Sequence, residues 1–166
     1  MDRFETELVE LMPRLRRFGR TIARGVEDAD DLVQTAIERA LVSRASWRPG
    51  TRLDCWMFAI MKNAWTDEVR KRVRRGRIVE SDSGRAAEVA DPAQPSMEAR
   101  LGARAAELAL QALPDEQRMA VVLVLIEGLT YREAAEVLRV PEGTLTSRLS
   151  RGRAELAATL LEGARE

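Results

Sequence analysis

The side chains that could do chemistry in this chain are cations, short hydroxyls and aromatic rings, not paired nucleophiles and bases. The 166 residues include no histidine and a single cysteine, Cys55. That removes the usual general base and the commonest metal ligand, and leaves no internal disulfide or thiolate zinc site. No phosphate-cradling glycine loop is present either, so an enzyme is the least favoured class, and no metal or cofactor is implied. The chemistry left is recognition. Thr144, Thr146, Ser147, Arg148, Ser150 and Arg151 cluster in a stretch, Thr144–Arg153, with three arginines and no acid. Hydroxyls and guanidinium groups reach base edges in the major groove, arginine bonding guanine bidentately. A second set lies upstream, where Trp56, Phe58 and Trp65 surround Lys62 and Asn63 and lead into a run of arginines. Single-stranded DNA is held by such sets: bases stack on rings for roughly 1–3 kcal/mol each, and cations follow the backbone. Trp56, Lys62 and Asn63 are the candidates for the bases, and Arg70, Lys71 and Arg74 for the phosphates. Rings in the core of a small domain would give the same pattern, and Cys55 reads as small core filler.

Net charge is zero, which on its own argues against nucleic acid, but the charges are segregated. Lys62–Arg77 holds seven cations against Asp67 and Glu68, a local +5. Glu80–Glu98 holds five acids against Arg85, a local −4. Two basic blocks separated by an acidic one suggest two DNA contacts and a different task for the middle.

The elements that must carry these residues are helical. Hydrophobic content is 45% and aromatic content 4%, with much Ala, Leu, Arg and Glu, so an all-α protein of two small units is expected. Leu8, Leu11, Met12, Leu15, Phe18 and Ile22 recur at helical spacing. Pro13 should kink or divide that helix, and Gly25 should end it. Arg14, Arg16, Arg17, Arg20 and Arg24 fall on its outer side. Asp28 and Asp30 can cap a second helix, buried along Leu32, Val33, Ala36, Ile37, Ala40 and Leu41. Its polar side shows Asp31, Gln34, Thr35, Glu38 and Arg39. After the turn Trp47–Thr51, Thr51 and Asp54 resemble a capping box for the aromatic, basic helix. Trp56, Phe58 and Trp65 cannot share one face, so at least one ring should be partly exposed. From Gly76 to about Glu98 apolar periodicity is lost and a linker is expected; four helices follow. Thr130 and Glu133 form a capping box. Arg139–Gly143 breaks the chain, and Leu145, Leu149, Leu156 and Leu160 give the last helix an inner side. This is the layout of a helix-turn-helix, whose second helix enters the major groove; an ordinary antiparallel helix pair would look similar. No signal peptide is evident and no apolar run approaches about 18 residues, so a soluble, cytoplasmic protein is expected.

Three stretches in this order and spacing resemble the extracytoplasmic-function (ECF) sigma factors of bacterial RNA polymerase. DADDLVQTAIERAL is similar to the helix that grips the polymerase clamp. LDCWMFAIMKNAWTDEVRKR is similar to the promoter-melting helix. LPDEQRMAVVLVLIEGLTYREAAEVLRVPEGTLTSRLSRGRAEL is similar to the fourth-region helix-turn-helix. The resemblance implies a first domain over 1–77, an acidic linker over 78–98 and a helix-turn-helix domain over 99–166. It implies core-polymerase contact through Asp31, Gln34, Thr35 and Glu38. It implies a −10 element captured as single strand by Trp56, Lys62, Asn63, Arg70, Lys71 and Arg74, with a flipped base near the Trp47–Thr51 loop. The −35 element would be read through Thr144, Thr146, Ser147, Arg148 and Arg151. Partners so implied are core polymerase, promoter DNA and an anti-sigma factor, in a stress or environmental response. The chain departs from the family's usual residues at Thr35, Ala59, Ala134 and Thr146. Two other classes compete: a sigma-like module that sequesters an anti-sigma factor without acting on DNA, and a simple operator-binding regulator. The first is normally fused to a receiver domain, which finds no place here; the second leaves the aromatic, basic helix unexplained.

Overall fold

A computed structural model of the chain describes residues 2–76 and 96–163, all of them in helices and the turns that join them. Among them are seven α-helices: α1 Arg3–Ile22, α2 Val26–Val42, α3 Leu53–Arg74, α4 Met97–Ala112, α5 Asp115–Val121, α6 Tyr131–Leu138 and α7 Glu142–Gly163. None of these is long and apolar enough to cross a membrane. The fold is the all-α arrangement of two helical units, α1–α3 and α4–α7. The acidic segment expected over 78–98 lies outside the described residues except for 96–98. There Ser96 caps α4, its hydroxyl accepting from the Ala99 N–H.

Several local expectations are corrected. Asp2 starts α1 with a reciprocal capping box to Glu5, and the helix then runs through Pro13 undivided. Pro13 is exposed, as is Val9 one turn earlier, so the carbonyl without a partner lies on the solvent side. Gly25 does not end α1, which stops at Ile22; with φ −164° it is the extended N-cap of α2. Asp28 does not cap α2 but sits in its first turn. There it accepts two hydrogen bonds from Arg72 of α3, at 2.6 and 2.8 Å. Thr51 makes no cap either; its hydroxyl donates to the Arg48 carbonyl at 2.7 Å, and Arg52 takes the N-cap position of α3.

Inside the first unit, Leu15, Phe18 and Ile22 meet Ala36, Met57, Phe58 and Met61, all fully buried. The Phe18 and Phe58 rings lie 4.7 Å apart. A Cβ on Gly19 would stand 3.1 Å from a Val33 methyl and 3.3 Å from the Ala29 carbonyl, so the missing side chain brings α1 and α2 together. In the second unit the Thr130–Glu133 capping box is present. Arg139 closes α6 in the left-handed region, φ 54°, a position that usually favours glycine. Leu145 and Leu149 are buried, but Leu160 is 37% exposed, so the inner side of α7 ends earlier than its leucine spacing suggests.

One apolar cluster runs through both units, and polar groups seal the join. The last turn of an α-helix leaves carbonyls without partners, and in α1 these are capped by the second unit. Gln111 Nε2 donates to the Arg20 carbonyl at 3.2 Å and to that of Thr21 at 3.4 Å. The fully buried Arg118 donates to the carbonyls of Ile22 (3.3 Å), Leu113 (3.0 Å) and Gln111 (3.3 Å), and to the Asp115 carboxylate (2.5 Å). Burial lowers the Arg118 pKa, with Asp115 opposing the shift.

Candidate nucleic-acid interface

Helix α3 divides its aromatics by depth. Phe58 and Trp65 are buried; Trp56 is half-buried, its ring edge-on to Phe4 at 6.1 Å. Trp56 is therefore the least buried of the three α3 rings. Trp47 turns inward: it is 8% exposed, with its ring 5.5 Å from that of Phe4. The outward side of the Trp47–Thr51 loop is thus carried by Arg48, Pro49, Gly50 and Thr51, all exposed. Lys62 and Asn63 are half-buried and adjacent, the ammonium 3.4 Å from the Asn63 carbonyl oxygen. Burial lowers the Lys62 pKa, and the charges of Arg139, Arg70 and Arg148 lower it further. Arg70, Lys71 and Arg74 are exposed, whereas Arg72 is committed to Asp28 and to Glu68 at 2.8 Å.

On α7, Thr146 and Arg151 are exposed, and Thr144, Ser147 and Arg148 half-exposed. The Thr146 hydroxyl donates to the Glu142 carbonyl at 2.9 Å, a bond easily exchanged for an outside acceptor. Arg148 pairs with Glu116 at 3.1 Å.

The α2 face is acidic and polar. Asp31, Gln34 and Glu38 are exposed and Thr35 half-buried. Gln34 donates to Glu38 at 3.1 Å, and Arg39 pairs with Asp67 of α3 at 3.0 Å. A shallow cleft between α2 and α3 gathers Asp31, Gln34, Thr35, Glu38 and Lys71. The structure brings the α2 set together on one face and the α3 set along another.

Sequence reasoning missed the charged seam between the units. Arg14 and Arg17, placed on the outer side of α1, converge on the Glu127 carboxylate with bonds of 3.0–3.1 Å. Arg14 also reaches Asp54 at 2.9 Å. The Glu127 side chain is fully buried. It is held there by a π-helical turn, Val122–Ile126, in which the Glu127 N–H bonds five residues back to Val122. Arg52 bridges Asp54 at 2.7 Å and Glu133 at 2.7 Å. Burial raises the Asp54 pKa, but hydrogen bonds from Arg52 and Arg14 outweigh it and keep the carboxyl below its ordinary value. Cys55, beside this seam, has its thiol pushed up to about 11 by burial and the Asp54 charge, so it stays protonated. The one sequence sign of the seam was an acid, Glu127, closing the apolar run Met119–Ile126.

Known proteins share this arrangement. A family model described as Sigma-70 region 2 matches residues 8–75, and one described as Sigma-70, region 4 matches residues 103–156. The "ECF RNA polymerase sigma factor EcfG" of Rhodopseudomonas palustris is 35% identical over 166 residues, covering 99% of this chain and 90% of that protein. The "ECF RNA polymerase sigma factor SigE" of Mycolicibacterium smegmatis is 39% identical over 145 residues, covering 86% of this chain and 56% of that protein. A solved structure, the sigma factor RpoE of Bartonella quintana in complex with the anti-sigma factor NepR, is similar with a TM-score of 0.81. It is 30% identical, and the match covers 95% of this chain and 96% of that one.

Proposed function

The chain belongs to the ECF family of RNA polymerase sigma factors, and we propose that it directs core polymerase to promoters by a two-point grip on their −35 and −10 elements. The observation that carries this reading is the presence, in order and over nearly the whole chain, of both sigma regions. An aromatic, basic α3 in the first and a hydroxyl- and arginine-bearing α7 in the second supply the DNA chemistry. In this reading Asp31, Gln34, Thr35 and Glu38 meet the polymerase clamp. Trp56, Lys62 and Asn63 hold the melted −10 strand, with Arg70, Lys71 and Arg74 on its phosphates. The Thr51 end of the loop over Trp47 borders the flipped base. Thr144, Thr146, Ser147, Arg148 and Arg151 read −35. Catalysis belongs to the polymerase, in the cytoplasm.

An anti-sigma factor is the proposed regulator, supported by the similarity to a sigma factor solved in such a complex. The test is run-off transcription by core polymerase on a genomic fragment library with the purified chain added. Initiation at a discrete set of promoters is expected, lost when Arg148 and Arg151 are both replaced by alanine. A chain that does not bind core polymerase overturns the reading.

A further inference from the structure

We propose that Arg139 is a DNA-contacting residue, kept in a strained backbone conformation because its guanidinium binds a phosphate at the edge of the −35 element. Among the described residues four lie in the positive-φ region, and three of them are glycines: Gly50 at 89°, Gly76 at 68° and Gly128 at 73°. Arg139, at φ 54° and ψ 48°, is the exception. An L side chain is disfavoured there because its Cβ crowds the following carbonyl oxygen, and such outliers concentrate where function needs them. The closure of α6 does not require this side chain. The Arg139 N–H bonds to the Glu136 carbonyl at 3.2 Å and the Val140 N–H to the Ala135 carbonyl at 3.1 Å. Both are backbone bonds that a glycine would make as well. The side chain itself is exposed and forms no ion pair or hydrogen bond among the described residues. Neither folding nor pairing within the chain accounts for an arginine here.

Its position decides what it meets. In a helix-turn-helix the first helix crosses the DNA backbone and the second enters the major groove. Arg139 lies between them, after α6 ends at Leu138 and before α7 begins at Glu142. It therefore stands at the rim of the groove, where phosphates lie and base edges do not. Arg139 and Arg148 are both within electrostatic reach of Lys62, which puts the guanidinium of the turn on the same side of the unit as the α7 reading residue. Without Arg139, the turn Arg139–Gly143 would offer the DNA backbone only the exposed Glu142 carboxylate, which repels it. A guanidinium can bind a phosphate bidentately, and such a contact fixes register without carrying sequence information. Arg139 thus sets how α7 sits in the groove, while the α7 side chains choose the bases. The contact rests on the −35 reading proposed above; the backbone strain does not.

The test compares Arg139→Gly, Arg139→Asn and Arg139→Lys with the natural chain, each in holoenzyme with core polymerase. The probes are a promoter duplex recovered from the run-off library and its single-base −35 variants. Glycine removes both strain and charge, asparagine tolerates the left-handed conformation without charge, and lysine keeps the charge. Arg139→Gly should raise the denaturant midpoint of the free chain. It should nevertheless bind the promoter about tenfold more weakly near 50 mM salt and about threefold more weakly near 200 mM. The loss should be uniform across the −35 variants, with the salt slope reduced by about 1. Arg139→Asn should show the same loss, and Arg139→Lys should keep both affinity and slope. A glycine chain less stable than the natural one would make the side chain structural and overturn the assignment. Glycine and asparagine holoenzymes with natural affinity and slope overturn the contact and leave the promoter function standing. A loss confined to one base pair overturns the phosphate assignment in favour of base reading. A natural chain that brings core polymerase to no promoter overturns the function above, and the contact with it.

Discussion

Arg148, proposed above to read a base, is held by a partner that it can readily exchange. Its pair with Glu116 is 3.1 Å long, but Glu116 is 70% exposed, and such surface pairs contribute only about 0–1 kcal/mol. A bidentate bond to guanine is worth about 1–3 kcal/mol of discrimination, so base contact wins the exchange. Arg148→Ala should therefore weaken promoter binding by about 1–3 kcal/mol at one base position, read by binding to a set of single-base promoter variants. A uniform loss on every sequence would reassign the side chain to a phosphate. Trp56 poses the opposite problem, since its half-buried ring already stands edge-on to Phe4. Trp56→Ala should slow strand opening, seen as reduced permanganate reactivity of the −10 thymines, while holoenzyme recruitment to duplex is kept. Loss of the whole first unit's thermal transition would instead make the ring a core residue. That one of the three α3 aromatics must be exposed was legible from their spacing. That Trp47 faces inward was not, because its partner Phe4 lies on a different helix and nothing local marks it.

Helices α5 and α7 meet through an absence. A Cβ on Gly152 would stand 2.7 Å from a Val121 methyl and 3.3 Å from the Gln117 carbonyl. Alanine in a helix interior is favoured over glycine by about 0.8–1.0 kcal/mol, but overpacking costs typically 1–3 kcal/mol. Valine is stiff at χ1 and the other neighbour is backbone, so the clash should win. Gly152→Ala should lower the melting temperature of the second unit; an unchanged or raised value would mean that α7 shifts freely on α5.

Helices α2 and α3 are joined instead by charge. Arg72 holds the Asp28 pKa below its ordinary value of 3.8. A depressed carboxyl stabilises the fold above its unfolded pKa, and that stability is lost as pH falls through the folded one. Asp28→Asn should therefore be less stable than the natural chain near neutrality, with the gap closing below about pH 4, as read from denaturant midpoints. A gap that persists in acid would assign the contribution to packing. Both effects separate what sequence can and cannot show at this level. The Thr130–Glu133 box was legible because both partners lie within one turn. The Thr51–Asp54 pair was misread because Asp54 takes Arg14 from another helix as well as Arg52 beside it. Asp28 likewise was taken from capping by an arginine 44 residues away.

The two units were legible separately, from helical periodicity and the composition of the segment between them, but their docking was not. The seam pairs residues more than 100 positions apart, Arg14 and Arg17 with Glu127, and periodicity carries no information about such distances. Arg118 shows what the docking does to the molecule as a unit. Its guanidinium serves the α4–α5 loop through Leu113, Gln111 and Asp115, and the end of α1 through Ile22. A planar fork of donors fits this set where a lysine ammonium, a single point charge, would not. Replacing Arg118 by methionine keeps the buried volume roughly filled but leaves the Leu113 and Ile22 carbonyls without donors. Each orphaned buried acceptor costs about 1–3 kcal/mol, against which the relief of a desolvated cation is a partial offset. Arg118→Met should then destabilise the second unit by about 2 kcal/mol or more. It should also loosen its coupling to α1, so that calorimetry, expected to show one coupled transition for the natural chain, resolves two. Arg118→Lys should fall on the same side of the comparison, with charge retained and the split still visible. A single transition, unmoved in either variant, would show that the shared apolar cluster alone docks the units and that the buried arginine is a passenger within it.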